Sequence, residues 1–242
     1  MSLRLSNDIK AEAKRLGFFA CGIAKAAPVE SATAAEVTRW LDNGCFAEMA
    51  YMNNYTDKRL NPQLLMPGLK SIVCVAMSYA PVKRMPKGQY QLASYAYGQD
   101  YHEIVKGKLR QLATHFGFEP YTEENVVPSP SPDKAAPKYR VFCDSAPILE
   151  RYWAVKAGLG WTGRNHQLII PKAGSMFVLG ELFLDIELDY DAEMPNRCGN
   201  CHKCIDVCPT KALGSWQDTV GKKTFLFDAK RCLSYQTCLL YT

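Results

Sequence analysis

Four cysteines and a proline carry the most specific chemistry in this sequence. Cys198, Cys201, Cys204, Cys208 and Pro209 form a C-x2-C-x2-C-x3-C-P run. A 4Fe–4S cube presents irons that each take one thiolate. Two-residue spacers let three cysteines wrap one cube in a tight turn, and the fourth cysteine of such a run faces away and serves a second cluster. Cys198, Cys201 and Cys204 are therefore assigned to one cluster and Cys208 to another, with Cys232 as a further ligand. Zinc fits less well, because it usually takes two C-x-x-C pairs or Cys/His pairs, and His202 inside the run reads as a solvated spacer. Two cubes call for more thiolates than the six cysteines between 198 and 238 supply. Either the natural chain continues past Thr242 with a second cysteine run, or Cys232 or Cys238 completes a single cluster. The ending QTCLLYT, with no polar tail, favours continuation.

The clustered spacing points to a metal site in a reducing compartment rather than to disulfides. Cys21, Cys45, Cys74 and Cys143 stand singly in apolar segments and read as buried core thiols. With 242 residues, 48% of them hydrophobic and 22% charged, the composition is that of an ordinary globular protein. No apolar run has the length of a membrane span, and the N-terminus lacks a signal-peptide core; a cytoplasmic location is expected. The net charge of +5 permits a polyanionic partner without requiring one.

These residues must be positioned by the elements before them. Leu5, Ile9, Ala13 and Leu16 recur at helical spacing, with Ser6 as a candidate cap and Gly17 as the stop. FFACGIA reads as a buried strand, and a helix is expected from about Ala34 to Met52 with an interruption at Asn43-Gly44. KSIVCVAMSYA is a second buried strand. A helix from Asp100 to Phe116 ends at Gly117, and the proline-rich stretch 126–138 is a surface loop. YRVFCD is a strand, Pro147 to Ala157 a helix stopped by Gly158 and Gly160, and QLIIP and MFVLGELFLDIEL are further strands. This alternation predicts an α/β (α+β) domain over 1–193. After Met194-Pro195 the character changes to cysteines, turns and charge, giving a small, incomplete ferredoxin-like 4Fe–4S module over 194–242.

Several stretches together resemble one family: RLNP (59–62), PGLKSIVCVAMSY (67–79), YAYGQDYH (95–102), DSAPILER (144–151), AGLGWTGRNHQLI (157–169), GSMFVLGEL (174–182), the ferredoxin run and RCLSYQT (231–237). In this order they are similar to the epoxyqueuosine reductases, cobalamin- and iron–sulfur-dependent enzymes of tRNA modification. The resemblance implies that the α/β domain binds cobalamin and that the full-length protein holds two 4Fe–4S clusters. Those clusters would pass single electrons to cobalt, which as Co(I) acts on the epoxide-bearing ring of epoxyqueuosine in tRNA to give queuosine. It also implies an electron-donor protein as a partner. Reductive dehalogenases share this cluster-plus-cobalamin plan. The chain departs from the family at Tyr97, where a basic residue is usual, and at Arg164, where lysine is usual; arginine keeps the charge and adds a planar donor fork. Two other readings are an electron-transfer module that docks a partner and a corrinoid reductase acting on a small molecule.

Asp144 matches the family's proton donor. Its place after the apolar strand Val141-Phe142-Cys143 predicts a desolvated carboxyl that stays protonated. It equally reads as a helix N-cap, a role Ser145 can also fill. The resemblance implies cofactor contacts at Arg59, Tyr101, Asp144, Asn165, Leu168 and Ser234. Glu150 and Arg151 read as a surface or intrahelical pair worth about 0.5 kcal/mol. Gly158, Gly160 and Gly163 either admit a corrin close to the backbone or only form a turn. Tyr95, Tyr97, Tyr101 and His102 are candidates to line the cavity. Lys83, Arg84, Lys87, Lys138, Arg140, Lys156 and Arg164 are candidates for phosphate contacts.

Overall fold

The structure is a computed structural model that describes residues 2–86, 88–90, 92–123, 136–217 and 223–235. Lys87, Cys238 and most of the proline-rich stretch lie outside the described residues. Helix α1 (Ser2–Arg15) buries Ile9 and Ala13 on one stripe and is followed by Gly17, whose φ of +92° suits the left-handed stop. Ser6 is not its cap. The helix already starts at Ser2, and the Ser6 hydroxyl instead accepts the Asp189 N–H at 2.9 Å.

Strand β1 (Ala20–Lys25) leads to α2 (Ser31–Asp42), which stops at Asn43. A continuous helix to Met52 does not form; after the break at Gly44 the chain runs through turns and a 3-10 turn, Ala50–Asn53. The short helix α3 (Thr56–Leu60) precedes β2 (Ser71–Ser78). Helix α4 (Tyr101–His115) lies between the Asp100 cap and Gly117, at φ +72°. Then come β3 (Glu119–Pro120), β4 (Lys138–Phe142), α5 (Glu150–Lys156), the hairpin β5 (Trp161–Thr162) with β6 (Leu168–Ile169), and β7 (Phe177–Leu184). The C-terminal part carries α6 (Lys203–Asp206) and the hairpin β8 (Leu213–Gln217) with β9 (Lys223–Phe227).

Five strands form one mixed sheet in the order β1-β2-β7-β4-β3. Every neighbouring pair is antiparallel except β3 with β4, so the alternation of strands and helices along the chain does not produce a parallel sheet. Both faces are covered. On one, Ile9, Ala13, Val105, Leu109 and Leu112 of α1 and α4 meet Val73, Val75, Leu182 and Leu184. On the other, Trp153, Ala154 and Ala157, from α5 and its C-terminal end, meet Ile72, Cys74, Ala76, Leu179 and Phe183. Two covered faces explain why β2 reads as an unbroken apolar run rather than an alternating one. Cys45, Cys74 and Cys143 are buried as expected, whereas Cys21 is partly exposed. The edge of β1 is protected: Asp191 donates its N–H to Ile23 O at 2.8 Å and accepts the Ile23 N–H on its carboxylate at 2.8 Å. Among the described residues no helix is long and apolar enough to cross a membrane.

Helix α5 lies so close to the sheet that a Cβ on Gly22 would sit 2.0 Å from Ala157 O. A backbone oxygen cannot step aside as a side chain does. Gly22→Ala is therefore expected to destabilise the fold by ~1–3 kcal/mol or more in urea denaturation. Gly107→Ala, in α4 with open space around the new methyl, should stabilise it by about 0.5–1 kcal/mol. Equal effects at the two sites would contradict this packing.

Candidate active site

Strand β4 ends at Phe142 and the chain turns sharply at Asp144, whose φ is +57°. The turn swings the Asp144 carboxyl outward, so its side chain is 60% exposed and the burial expected from the preceding apolar strand does not reach it. Neither Asp144 nor Ser145 caps a helix. Helix α5 starts only at Glu150, behind Leu149, and has no side-chain cap.

The Asp144 carboxyl meets the first two residues of α4. Tyr101 donates its hydroxyl to Asp144 Oδ2 at 2.5 Å, and His102 Nε2 stands 3.6 Å from the same oxygen. Asp100 sets this arrangement by capping α4: its Oδ1 accepts the His102 N–H at 2.9 Å and lies 2.7 Å from His102 Nδ1. The imidazole thus spans two carboxylates and holds that of Asp100 below its ordinary range. Burial, followed by the hydrogen bond to Asp144, pushes the Tyr101 phenol up, so it remains a donor. Tyr101 stacks on His102 at 4.0 Å. Tyr95 meets Tyr101 edge-on at 6.3 Å and Tyr79 meets Tyr95 in the same way at 6.4 Å, giving an aromatic file from the end of β2 to Asp144.

Two further carboxyls lie behind this turn. Glu181, in the middle of β7, is fully buried on the face that α5 covers, and neither of its oxygens finds a donor among the described residues. The group it meets is the carboxyl of Glu150, the first residue of α5. Two carboxylates cannot sit side by side in a dry interior, so the pair is satisfied when it shares a proton. Burial pushes Glu150 up to about 7 and Glu181 well above the usual carboxylate range. Glu150 also accepts the backbone N–H of Asp144. It is therefore not the surface ion-pair partner expected from its helical spacing, because its carboxyl turns inward. Glu181 and Asp100 were not singled out in the sequence. The signal for Glu181 was present, a lone acid inside the apolar run MFVLGELFL.

Known relatives match this chain over almost all of its length. A family model described as "Epoxyqueuosine reductase QueG, DUF1730" matches residues 59–145. The epoxyqueuosine reductase of Cellulophaga algicola is 40% identical over 232 residues, covering 96% of this chain and 68% of that protein. The chain belongs to the epoxyqueuosine reductase family. A crystal structure of epoxyqueuosine reductase with a tRNA-Tyr epoxyqueuosine-modified stem loop superimposes with a TM-score of 0.78 at 24% identity, covering 97% of this chain and 57% of that one. The epoxyqueuosine reductase of Bacillus subtilis, solved with its catalytic aspartate loop swung out of the active site, matches with a TM-score of 0.74 at 25% identity, covering 97% and 57%. The chain thus spans less than two thirds of the length of these solved relatives.

Of the residues that the epoxyqueuosine reductase resemblance marks for cofactor contact, Tyr101 and Asp144 touch each other, and the others come from separate segments. Arg59, in α3, is only 8% exposed, and its Nε has no hydrogen-bond partner among the described residues. Desolvation pulls its guanidinium below the usual value. A buried arginine with an open donor fits a cofactor bearing phosphate or carboxamide acceptors, as cobalamin does. Asn165 lies in the β5–β6 turn, where its Oδ1 accepts the Gln167 N–H at 3.1 Å. The Leu168 side chain is packed into the core at 4% exposure, which leaves its backbone for any contact. Ser234 is exposed in the segment after Cys232. A Cβ on Gly158 would lie 2.6 Å from Ala192 O, and one on Gly160 2.1 Å from Ile169 O, so the protein's own backbone packs closely against both.

The cysteine loop is pinned to the β5–β6 hairpin. Arg164 donates to Cys201 O at 2.7 Å and to Gly199 O at 2.9 Å, and Asn196 joins Thr162 O to the Cys198 N–H. Backbone N–H groups of Leu213, Ala212 and Thr210 point at the Cys208 sulfur and hold its thiol below the ordinary range, an arrangement suited to a ligating thiolate. Arg231 donates to Thr210 O at 3.1 Å, so the segment of Cys232 lies against that of Cys208. Among the described residues no three Cys, His or carboxylate side chains converge on a single-ion site. Four phosphate-contact candidates are already engaged by the protein: Lys138 with Glu119, Arg140 with Leu65 O, Lys156 with Glu30 and Glu193, and Arg164 as above. Lys83 and Arg84 are exposed.

The buried pair has a measurable consequence. In the unfolded chain a glutamate loses its proton near 4.5, whereas in the fold burial lets Glu150 keep it to about 7 and shifts Glu181 in the same direction. The folded state therefore binds more protons across this window. The stability the pair contributes is fully present below 4.5 and falls as pH rises through 7, by up to about 1.4 kcal/mol per pH unit for each group. Thermal unfolding between pH 5 and 8 should show this decline, and Glu181→Gln should flatten it.

Proposed function

We propose that this protein reduces epoxyqueuosine to queuosine in tRNA, with Asp144 as the acid that protonates the departing epoxide oxygen. The observation that carries the reading is the convergence of Tyr101 and His102 on one carboxylate oxygen of Asp144, in a chain 40% identical to an epoxyqueuosine reductase. The overall change takes two electrons and two protons, breaks both C–O bonds of the epoxide, leaves an alkene and releases water. Cobalamin, when bound, would supply the reduced cobalt for this step, and the 4Fe–4S clusters its electrons. An alkoxide is a poor leaving group, so a positioned acid is worth about 10²–10⁴ in rate.

In this reading Tyr101 holds Asp144 Oδ2 and leaves Oδ1 to carry the proton toward the substrate. His102, oriented by Asp100, restores that proton after turnover. Arg59 holds the cofactor through its open donor, with Asn165, Ser234 and the Leu168 backbone as further contacts. Residues 194–242 form the cluster-bearing module: Cys198, Cys201 and Cys204 ligate one cube, and Cys208 with Cys232 ligate the other. The substrate is tRNA bearing epoxyqueuosine, consistent with the stem-loop complex of the solved relative; exposed Lys83 and Arg84 are available to its phosphates. An electron-donor protein reduces the clusters, and the cytoplasm is where this chemistry takes place.

The test is conversion of an epoxyqueuosine-containing anticodon stem loop by the anaerobically purified full-length protein. Asp144→Ala should keep its iron and its bound cobalamin, read from the visible spectrum, and lose at least about 10²-fold in turnover; full activity would end the acid assignment. Cys201→Ser should lower bound iron, and an unchanged iron content would overturn the ligand assignment.

A further inference from the structure

Asp144 holds a backbone conformation that L-residues rarely adopt, on an exposed turn, with its carboxyl aimed at two side chains of another element. Something must keep that turn in place. The turn's own bonds are short-range, Ser145 N–H to Cys143 O and Ile148 N–H to Ala146 O. Two bonds reach out of it: the Tyr101 hydroxyl holds the Asp144 side chain, and the Asp144 N–H, the backbone group at the strained residue, donates to the Glu150 carboxyl. Glu150 is in turn drawn inward by Glu181, whose oxygens find no donor elsewhere at the centre of the sheet.

We propose that Glu150 and Glu181 are positioning residues for the Asp144 turn: Glu181, in the sheet interior, holds the Glu150 carboxyl, and Glu150 holds the Asp144 N–H so that the Asp144 side chain faces Tyr101 and His102. The catalytic value of this device rests on the reading of Asp144 as the acid; the device itself does not. Neutral Glu181 donates to Glu150, and Glu150 accepts from Asp144, so every polar group in the series has a partner.

Hydrogen exchange at the Asp144 amide reads the latch without any need for turnover. Glu150→Gln keeps an acceptor oxygen and should keep this amide protected. Glu150→Ala removes the acceptor and should speed its exchange at least tenfold. Glu150→Asp keeps a carboxyl beside Glu181 but falls one methylene short of the amide, so it should also exchange fast, and it serves if the alanine variant does not fold. In the full-length holoenzyme, kcat should fall in the same order while KM for the tRNA stem loop stays unchanged. Protection in Glu150→Asp equal to the parent, or exchange in Glu150→Gln as fast as in the alanine variant, would overturn the proposal. If the exchange pattern holds but Asp144→Ala still turns over, the latch stands and the acid reading falls.

Discussion

A carboxyl at the centre of a sheet covered on both faces has few ways to exist. Glu181 is fully buried in β7, between β2 and β4, and its oxygens receive no donor from any described residue. Burying it as a bare charge would cost several kcal/mol, so the fold must supply either a cation or a shared proton. It supplies Glu150, at the start of α5. Glu150 opens α5 directly after the turn from Cys143 to Leu149 and accepts the Asp144 N–H of that turn. The outward direction of Asp144 follows from that turn rather than from the strand before it.

The site is assembled from ends of elements. Tyr101 and His102 open α4, Asp144 follows β4, Glu150 opens α5, and only Glu181 comes from the middle of a strand. Such a construction leaves the polar groups at a rim while the sheet beneath stays dry. It also lets one residue serve two elements: Asp100 caps α4 and orients the imidazole that faces Asp144.

The C-terminal segment is held to the first part of the chain at several separate points. Arg164 and Asn196 tie the cysteine loop to the β5–β6 hairpin, Trp40 donates to Phe227 O at 2.7 Å, and Ala229 donates to Cys45 O at 2.9 Å. The arginine at 164 suits this task better than a lysine would, since its planar fork reaches two carbonyls at once. Electron transfer depends steeply on separation, so the anchors matter to any cluster held there more than their individual energies suggest.

The sequence alone was sufficient for the cysteine run, the buried strands β1, β2 and β7, the stops at Gly17 and Gly117 and the resemblance to a family, because each rests on local spacing or on residue chemistry that acts within a few positions. It was not sufficient for the surroundings of Asp144. Reading a strand's apolar residues predicts a buried carboxyl, but the sign of one backbone angle places that carboxyl outside. The inward turn of Glu150, the pairing with Glu181 and the His102 bridge between two aspartates join residues 31 to 44 positions apart. Such contacts are decided by how the sheet orders its strands and where helices land on it, and no local periodicity encodes that order.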